Sequence, residues 1–171
     1  MVLPRQGLTW KEAAAVLLIV GFFAAVLWPV GYNSGSSHKA NCMSNMKQNS
    51  TALIMYAQEY DDLLPHRDWM DASHDYCKNW QSYTCTDVYL QDHNNFGHAF
   101  DSDLSGKAME SLGIPAKRAL VYDSNLLHKN AAAPIRSGIM KPGRHNRKNN
   151  IGFLDGHVKS LFNGELASQI N

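Results

Sequence analysis

The three cysteines are the residues of this chain best suited to covalent or metal chemistry. Cys77 and Cys85 lie eight positions apart in CKNWQSYTC, a spacing that suits a small disulfide loop in an exported domain. The sequence contains no CxxC pair, so it does not favour a zinc ribbon. We therefore predict Cys77–Cys85 as the disulfide candidate, and Cys42 is left without an assigned partner.

Histidine and aspartate near the C-terminus raise the question of a metal site or an acid–base pair. His145, Asp155 and His157 are the residues concerned. Asp155 is already explained by a turn with Gly156, and His157 begins the next strand, so we predict structural roles for all of them. Ser124 lacks the flanking glycines of a nucleophile elbow. The sequence therefore predicts a protein that is not an enzyme.

A second acidic stretch, FDSDLSGK, has the spacing with which a calcium-binding loop begins. Asp101, Asp103 and Ser105 stand at alternate positions, and oxygen atoms are the ligands that Ca²⁺ prefers. The twelfth position from Asp101 is Leu112 instead of glutamate, so the EF-hand pattern is incomplete. These three residues are weak candidates for a divalent cation, and no other cofactor is predicted.

A long apolar run lies near the N-terminus, before the acidic and histidine-rich part of the chain. Residues 13–32 contain no charged side chain, and as a helix they would be about 30 Å long, enough to cross a bilayer. Arg5 and Lys11 precede the run, so the positive-inside rule predicts a cytoplasmic N-terminus. Glu12 stands at its start, where a carboxylate should be protonated, find a cation or cap the helix.

A second helical pattern follows in CMSNMKQNSTALIMYAQEYDDLLP. Apolar and small residues recur on one face at a period of 3.6 residues. The intervening NSGSSHKAN is a poor helix former, so we expect a bend there. We predict one N-terminal helix of roughly 50 residues, apolar over residues 8–32 and amphipathic over residues 33–64.

Residues 65–171 are predicted to form an α+β head domain. Residues 119–122 read as a short buried strand. The runs NIGFL and HVKSLF flank Asp155-Gly156, a strong signal for a two-residue type I′ hairpin. The predicted fold class is therefore α+β, with one long N-terminal helix, membrane-spanning in its first half, packed on a small antiparallel sheet that ends in a C-terminal hairpin.

Charge and aromatic content limit the kinds of partner. The chain has 16 Lys and Arg against 15 Asp and Glu, which gives no basic surface for nucleic acid. Trp69, Trp80, Tyr83 and Phe96 are predicted to cover the edge of the core, with a glycan- or protein-binding surface as the alternative. An uncleaved, membrane-anchored binding module outside the cytoplasm is the corresponding alternative function.

Two motifs occur together in the order expected for one family. GLTWKE runs directly into the apolar helix, and in RHNRKNNIGFLDGHVKSL nine residues separate His145 from Asp155-Gly156. The first resembles the cleavage and methylation signal of type IV prepilins and type II secretion pseudopilins. The second, together with CMSNMKQ and YAQEYDDLLP, resembles the prepilin-type processing-associated domain with its His-(nine residues)-Asp-Gly signature. The resemblance spans nearly the whole chain.

The resemblance implies a pilin-like fold and a structural function. Prepilin peptidase would cut between Gly7 and Leu8, removing residues 1–7 and making Glu12 the fifth residue of the mature chain. In that family the methylated α-amine of one subunit pairs with this glutamate of its neighbour, so Glu12 would control assembly. The residues of the His-(nine residues)-Asp-Gly signature would be structural.

The resemblance also implies partners and a location. The partners are further copies of the chain, other pilins or pseudopilins, prepilin peptidase, an inner-membrane assembly platform, and membrane lipid before assembly. The location is the bacterial inner membrane with a periplasmic head, or an extracellular filament. Some major pseudopilins hold calcium in C-terminal loops, which keeps Ca²⁺ among the expectations.

Overall fold

A computed structural model describes residues 9–27 and 34–170. The chain divides into two units, Met1–Ser37 and His38–Asn171. The predicted leader and the cleavage position between Gly7 and Leu8 lie outside the described residues.

Helix α1 spans Trp10–Leu27 and is capped by its own glutamate. Thr9 donates its backbone N–H and its hydroxyl to Glu12 Oε2, each at 2.8 Å, as the glutamate of a capping box does. The backbone hydrogen bond, and then the hydroxyl, lower the pKa of the exposed Glu12 carboxyl. Glu12 is therefore ionised at neutral pH and has a local role in starting α1.

The predicted long apolar helix is corrected by the structure. α1 has 18 residues, and a second helix, α2, spans the 26 residues Ser34–Glu59. Within residues 9–27 and 34–170, no helix has the length and apolar character needed to cross a membrane.

Helix α2 buries the face that its periodicity predicts. Met46, Ser50, Leu53 and Ala57 are all fully buried and lie three or four positions apart. Tyr60, predicted on the same face, is 53% exposed because the chain leaves the helix at Glu59. The second half of the predicted N-terminal helix is thus amphipathic.

The head is α+β with a five-stranded mixed sheet in the order β3-β1-β2-β4-β5. The strands are β1 (His98–Asp101), β2 (Ala119–Asp123), β3 (Ala132–Ala133), β4 (Lys148–Phe153) and β5 (Val158–Phe162). β2 is antiparallel to β1 and β4, and β5 is antiparallel to β4, whereas β3 runs parallel to β1. The prediction of an antiparallel sheet was wrong at this edge, because a two-residue strand leaves no alternating pattern in the sequence.

The described residues of the head contain four further α-helices. They are α3 (Trp69–Cys77), α4 (Thr86–Tyr89), α5 (Ile135–Gly138) and α6 (Asn163–Gln169). α6 follows β5 directly and was not predicted. The Phe162 N–H donates to Glu165 Oε2 at 2.9 Å, a local hydrogen bond that favours this late helix.

The β4–β5 hairpin forms where the sequence predicts it, but its turn is of another type. Only Gly156 has a positive φ, at 82°, whereas a type I′ turn requires a positive φ at Asp155 as well. The Phe153 N–H donates to His157 O at 2.9 Å, so three residues separate this pair. The arrangement fits a three-residue loop with glycine in the left-handed conformation.

The aromatic stretch contributes mainly to the core. Trp69 and Tyr83 are completely buried, and Trp69 Nε1 donates to Ala131 O at 3.0 Å. Trp80 is 40% exposed. The prediction that these side chains cover the core is confirmed for Trp69 and Tyr83.

Close approach of α2 to β4 requires a glycine at position 152. A Cβ atom there would lie 2.1 Å from Ser50 Oγ and 3.3 Å from Met46 Cγ. We expect Gly152→Ala to lower the free energy of unfolding by about 1–3 kcal/mol, because α2 must move or repack. Chemical denaturation measures this loss.

Gly164→Ala is the matched control, since a Cβ there meets nothing within 4 Å. Alanine in α6 should leave stability unchanged or raise it by up to about 1 kcal/mol. Equal denaturation midpoints for Gly152→Ala and the unsubstituted chain would contradict a tight α2–β4 contact.

Candidate functional site

Five buried side chains from separate segments meet in the head, and we call them the Cys85 cluster: Cys42, Cys85, His98, Asp123 and His145. Cys42 lies on α2, and Cys85 immediately precedes α4. His98 begins β1 and Asp123 ends β2, and the antiparallel register places these two residues opposite each other. His145 lies between α5 and β4. Long-range packing therefore builds a polar site in the interior of the head.

Asp123 lies at the centre of this cluster and is completely buried. Its Oδ2 accepts the Asn150 N–H at 2.7 Å, and its Oδ1 lies 3.7 Å from His98 Nε2 and 3.9 Å from Arg144 Nη1. Burial raises the pKa of the Asp123 carboxyl, while the charges on His145 and Arg144 oppose that rise. A dehydrated carboxylate is stable only with such partners.

His145 connects three segments of the head. Its Nδ1 lies 3.1 Å from Asp87 Oδ2, and its Nε2 lies 3.5 Å from both Asp123 Oδ2 and Cys85 Sγ. Burial alone would lower the pKa of His145, but Cys85 and the charges of Asp123 and Asp87 outweigh burial and raise the pKa. Asp87 Oδ1 also lies 3.1 Å from His38 Nδ1, so one carboxylate joins α2, α4 and the segment before β4.

The two sulfur atoms of the cluster are in direct contact. Cys42 Sγ lies 2.8 Å from Cys85 Sγ, and the Thr86 N–H donates to Cys42 Sγ at 3.0 Å. The contact between the thiols lowers the pKa of Cys42 and raises the pKa of Cys85. A thiolate beside a thiol is suited to thiol–disulfide chemistry, but burial keeps both sulfur atoms away from an external substrate.

The cluster also offers the residue types of a metal site. The donor atoms of Cys42, Cys85 and His145 lie within 4.8 Å of one another, as do those of Cys85, His98 and Asp123. Two thiolates on one tetrahedral Zn²⁺ lie about 3.8 Å apart, given Zn–S bonds of about 2.3 Å, which is wider than the sulfur contact observed here. Arg144 already supplies a positive charge beside Asp123. The geometry therefore fits a structural ion-paired cluster better than a zinc centre.

The residues of the His-(nine residues)-Asp-Gly signature do not meet in one site. His145 belongs to the Cys85 cluster, whereas Asp155 and Gly156 form the β4–β5 turn. Asp155 Oδ1 accepts the His157 backbone N–H at 3.1 Å and also contacts His157 Nδ1. Partial burial raises the pKa of Asp155, but the hydrogen bonds from His157 prevail and lower it.

The structure corrects the predicted cysteine pairing. Cys85 Sγ faces Cys42 Sγ, not Cys77, and all three thiols are free. Cys77 is partly exposed, and its Sγ lies 3.9 Å from Asn79 O. Sequence spacing favoured the near pair, but α3 and the following helical turn direct Cys77 elsewhere.

The weak cation candidates are largely occupied by other contacts. Asp101 Oδ1 accepts the backbone N–H groups of Asp103, at 3.2 Å, and Ile135, at 3.3 Å. Burial raises the pKa of Asp101. Ser105 Oγ lies 3.4 Å from His66 Nδ1. Asp101 thus serves as a backbone cap, a role that competes with binding a cation.

Sequence reasoning missed His98 and the contact between Cys42 and Cys85. Asp123 was identified only as the residue that follows the predicted strand at 119–122. His98 and Asp123 each stand at one end of a short apolar strand, which could have marked them in the sequence. Their contact depends on the register between β1 and β2, and a single sequence does not give that register. The contact between the two sulfurs spans 43 positions and could not be read from local spacing.

No family model matches the chain, and neither a curated protein nor a solved structure is significantly similar to it.

Proposed function

We propose that this chain is a structural subunit of a filament outside the cytoplasm, of the pilin or pseudopilin class. α1 of each copy packs against α1 of further copies, and the head forms the outer surface in the periplasm or the extracellular space. The reaction that precedes assembly is cleavage after Gly7 by prepilin peptidase.

The observation that carries the proposal is the exposed apolar surface of α1. Nine large apolar side chains of this helix are each more than half exposed, from Val16 and Val26 at 51% and 52% to Trp10 at 80%. Positions 16–20 are consecutive, so apolar groups point to every side of the helix. Covering such a side chain stabilises by roughly 1.5–3 kcal/mol before the entropy of association is subtracted.

The position of Glu12 favours other copies of this chain as the partners that cover the apolar surface of α1. Its carboxylate is exposed and has a lowered pKa, so it presents a negative charge at the start of α1. A cleaved neighbour would carry a cationic α-amine, with a pKa of roughly 8, on Leu8. Pairing these charges between apolar helices would fix their register, because a mismatched register leaves a charge unpaired.

Leu18→Glu tests the role of the α1 surface. Leu18 is 76% exposed, so the substitution leaves the isolated subunit folded but places a charge in the proposed helix–helix contact. In processed protein, we expect sedimentation and negative-stain electron microscopy to detect filaments for the unsubstituted chain and at least tenfold fewer for Leu18→Glu.

Ile114→Glu is the matched control, since Ile114 is 62% exposed on the head. This variant should assemble as the unsubstituted chain does. Normal assembly of Leu18→Glu, or a processed chain that stays monomeric throughout, would refute the proposal and favour the binding-module alternative.

A further inference from the structure

The contact between Cys42 and Cys85 joins two distant parts of the head. The sulfur atoms lie 2.8 Å apart, and both side chains are completely buried. Cys42 belongs to α2, and Cys85 immediately precedes α4, so the contact connects the amphipathic helix to the start of α4. All three cysteines are free in the structure, so this contact is not yet a covalent link.

The surroundings of the two sulfurs favour a bond between them over other partners. A shared Zn²⁺ would hold two thiolates about 3.8 Å apart, farther than observed. The third cysteine, Cys77, has its Sγ near Asn79 O and outside this contact. His145 Nε2 lies 3.5 Å from Cys85 Sγ, and this contact favours the thiolate form of Cys85 that must react.

We propose that Cys42 and Cys85 form the structural disulfide of this protein. During folding, the Cys42 thiolate attacks a low-molecular-weight or protein disulfide, forming a mixed disulfide and releasing one thiolate. Cys85 then gives its proton to the released thiolate and attacks Cys42 Sγ, which forms the Cys42–Cys85 bond and releases the second external sulfur as a thiolate. The two cysteines are oxidised by two electrons, and the external disulfide is reduced to one thiol and one thiolate.

The bond would stabilise the head and resist reduction. It would close a loop between residues 43 positions apart and so lower the conformational entropy of the unfolded chain. For a domain of this size, we expect the bond to raise the Tm by about 10–15 °C. Because both sulfurs are buried, reduction should be at least about 100-fold slower in the folded protein than in denaturant. The proposal does not depend on filament assembly, since it involves no residue of α1.

Disulfide mapping of the full chain tests the pairing directly. The chain is reduced, refolded with reduced and oxidised glutathione, unfolded, and treated with N-ethylmaleimide before and after reduction. We expect a Cys42–Cys85 linked peptide and modification of Cys77 alone before reduction. A Cys77→Ser variant should give the same linked peptide.

Three results would overturn the proposal. They are a linkage that includes Cys77, modification of all three cysteines before reduction, and zinc retained by unlinked thiols in elemental analysis. A doubly substituted Cys42→Ala, Cys85→Ala chain is the control for stability, and its Tm should not respond to reductant. A Tm of the refolded chain that is equally insensitive to reductant would also contradict a stabilising bond.

Discussion

Replacing Asp123 by alanine is expected to lower the free energy of unfolding by about 3–5 kcal/mol, the range for breaking a buried ion pair from one side. The Asp123 carboxylate is completely buried and faces His98, His145 and Arg144. Its removal leaves the Arg144 charge without its carboxylate partner and the Asn150 N–H without its acceptor. Guanidinium denaturation followed by circular dichroism measures the loss.

Two further variants separate charge from shape. Asp123→Asn keeps an oxygen for the Asn150 N–H but loses the charge, so its effect should lie between those of alanine and the unsubstituted chain. Asp75→Ala removes an exposed carboxyl and should change stability by no more than about 0.5 kcal/mol. A similarly small effect of Asp123→Ala would mean that the cluster does not depend on this charge.

Asp123→Asn should also change the pKa of His145 in the folded protein. The charge of Asp123 is one of the groups that raise the pKa of His145. We therefore expect Asp123→Asn to lower the pKa of His145, measured by NMR titration of the ring protons. An unchanged pKa would contradict direct coupling across the 3.5 Å between His145 Nε2 and Asp123 Oδ2.

Local patterns in the sequence predicted much of the head. The 3.6-residue period identified the buried face of α2, and the Asp-Gly pair located the β4–β5 hairpin. β2 was visible because its first four residues, 119–122, form a buried, mainly apolar run. These features depend on neighbours within one element, so a single sequence contains their signal.

Features that depend on contacts between elements were predicted less well. The parallel strand β3 is two residues long and is defined only by its neighbour β1. Cys85 contacts Cys42 instead of Cys77, because α2 brings a distant residue to the site. The apolar run at residues 13–32 suggested a membrane span, but length and periodicity did not reveal where its helix ends.

Replacing Trp69 by alanine is expected to lower the free energy of unfolding by about 3–5 kcal/mol, as is usual for a large buried aromatic side chain. Trp69 is completely buried, with its ring centroid 5.7 Å from that of Tyr83 and 6.2 Å from that of Phe100. The loss has two parts, because alanine removes the ring and also leaves Ala131 O without the indole donor. Trp69→Phe keeps most of the ring, so it should lose roughly 1–2 kcal/mol less than alanine does.

The contrast with Trp80 separates a core role from a binding role for the aromatic stretch. Trp80 is 40% exposed and stacks on His74, with centroids 3.9 Å apart and Lys129 Nζ 4.3 Å from its ring. Trp80→Ala should therefore cost about 1 kcal/mol or less, measured in the same denaturation experiment. If both substitutions were equally mild, the core would not depend on Trp69, and a ligand-binding role for this stretch would gain support. A large loss confined to Trp69 means that Trp69 serves packing, and Trp80 is then the tryptophan of this pair that can contact a partner.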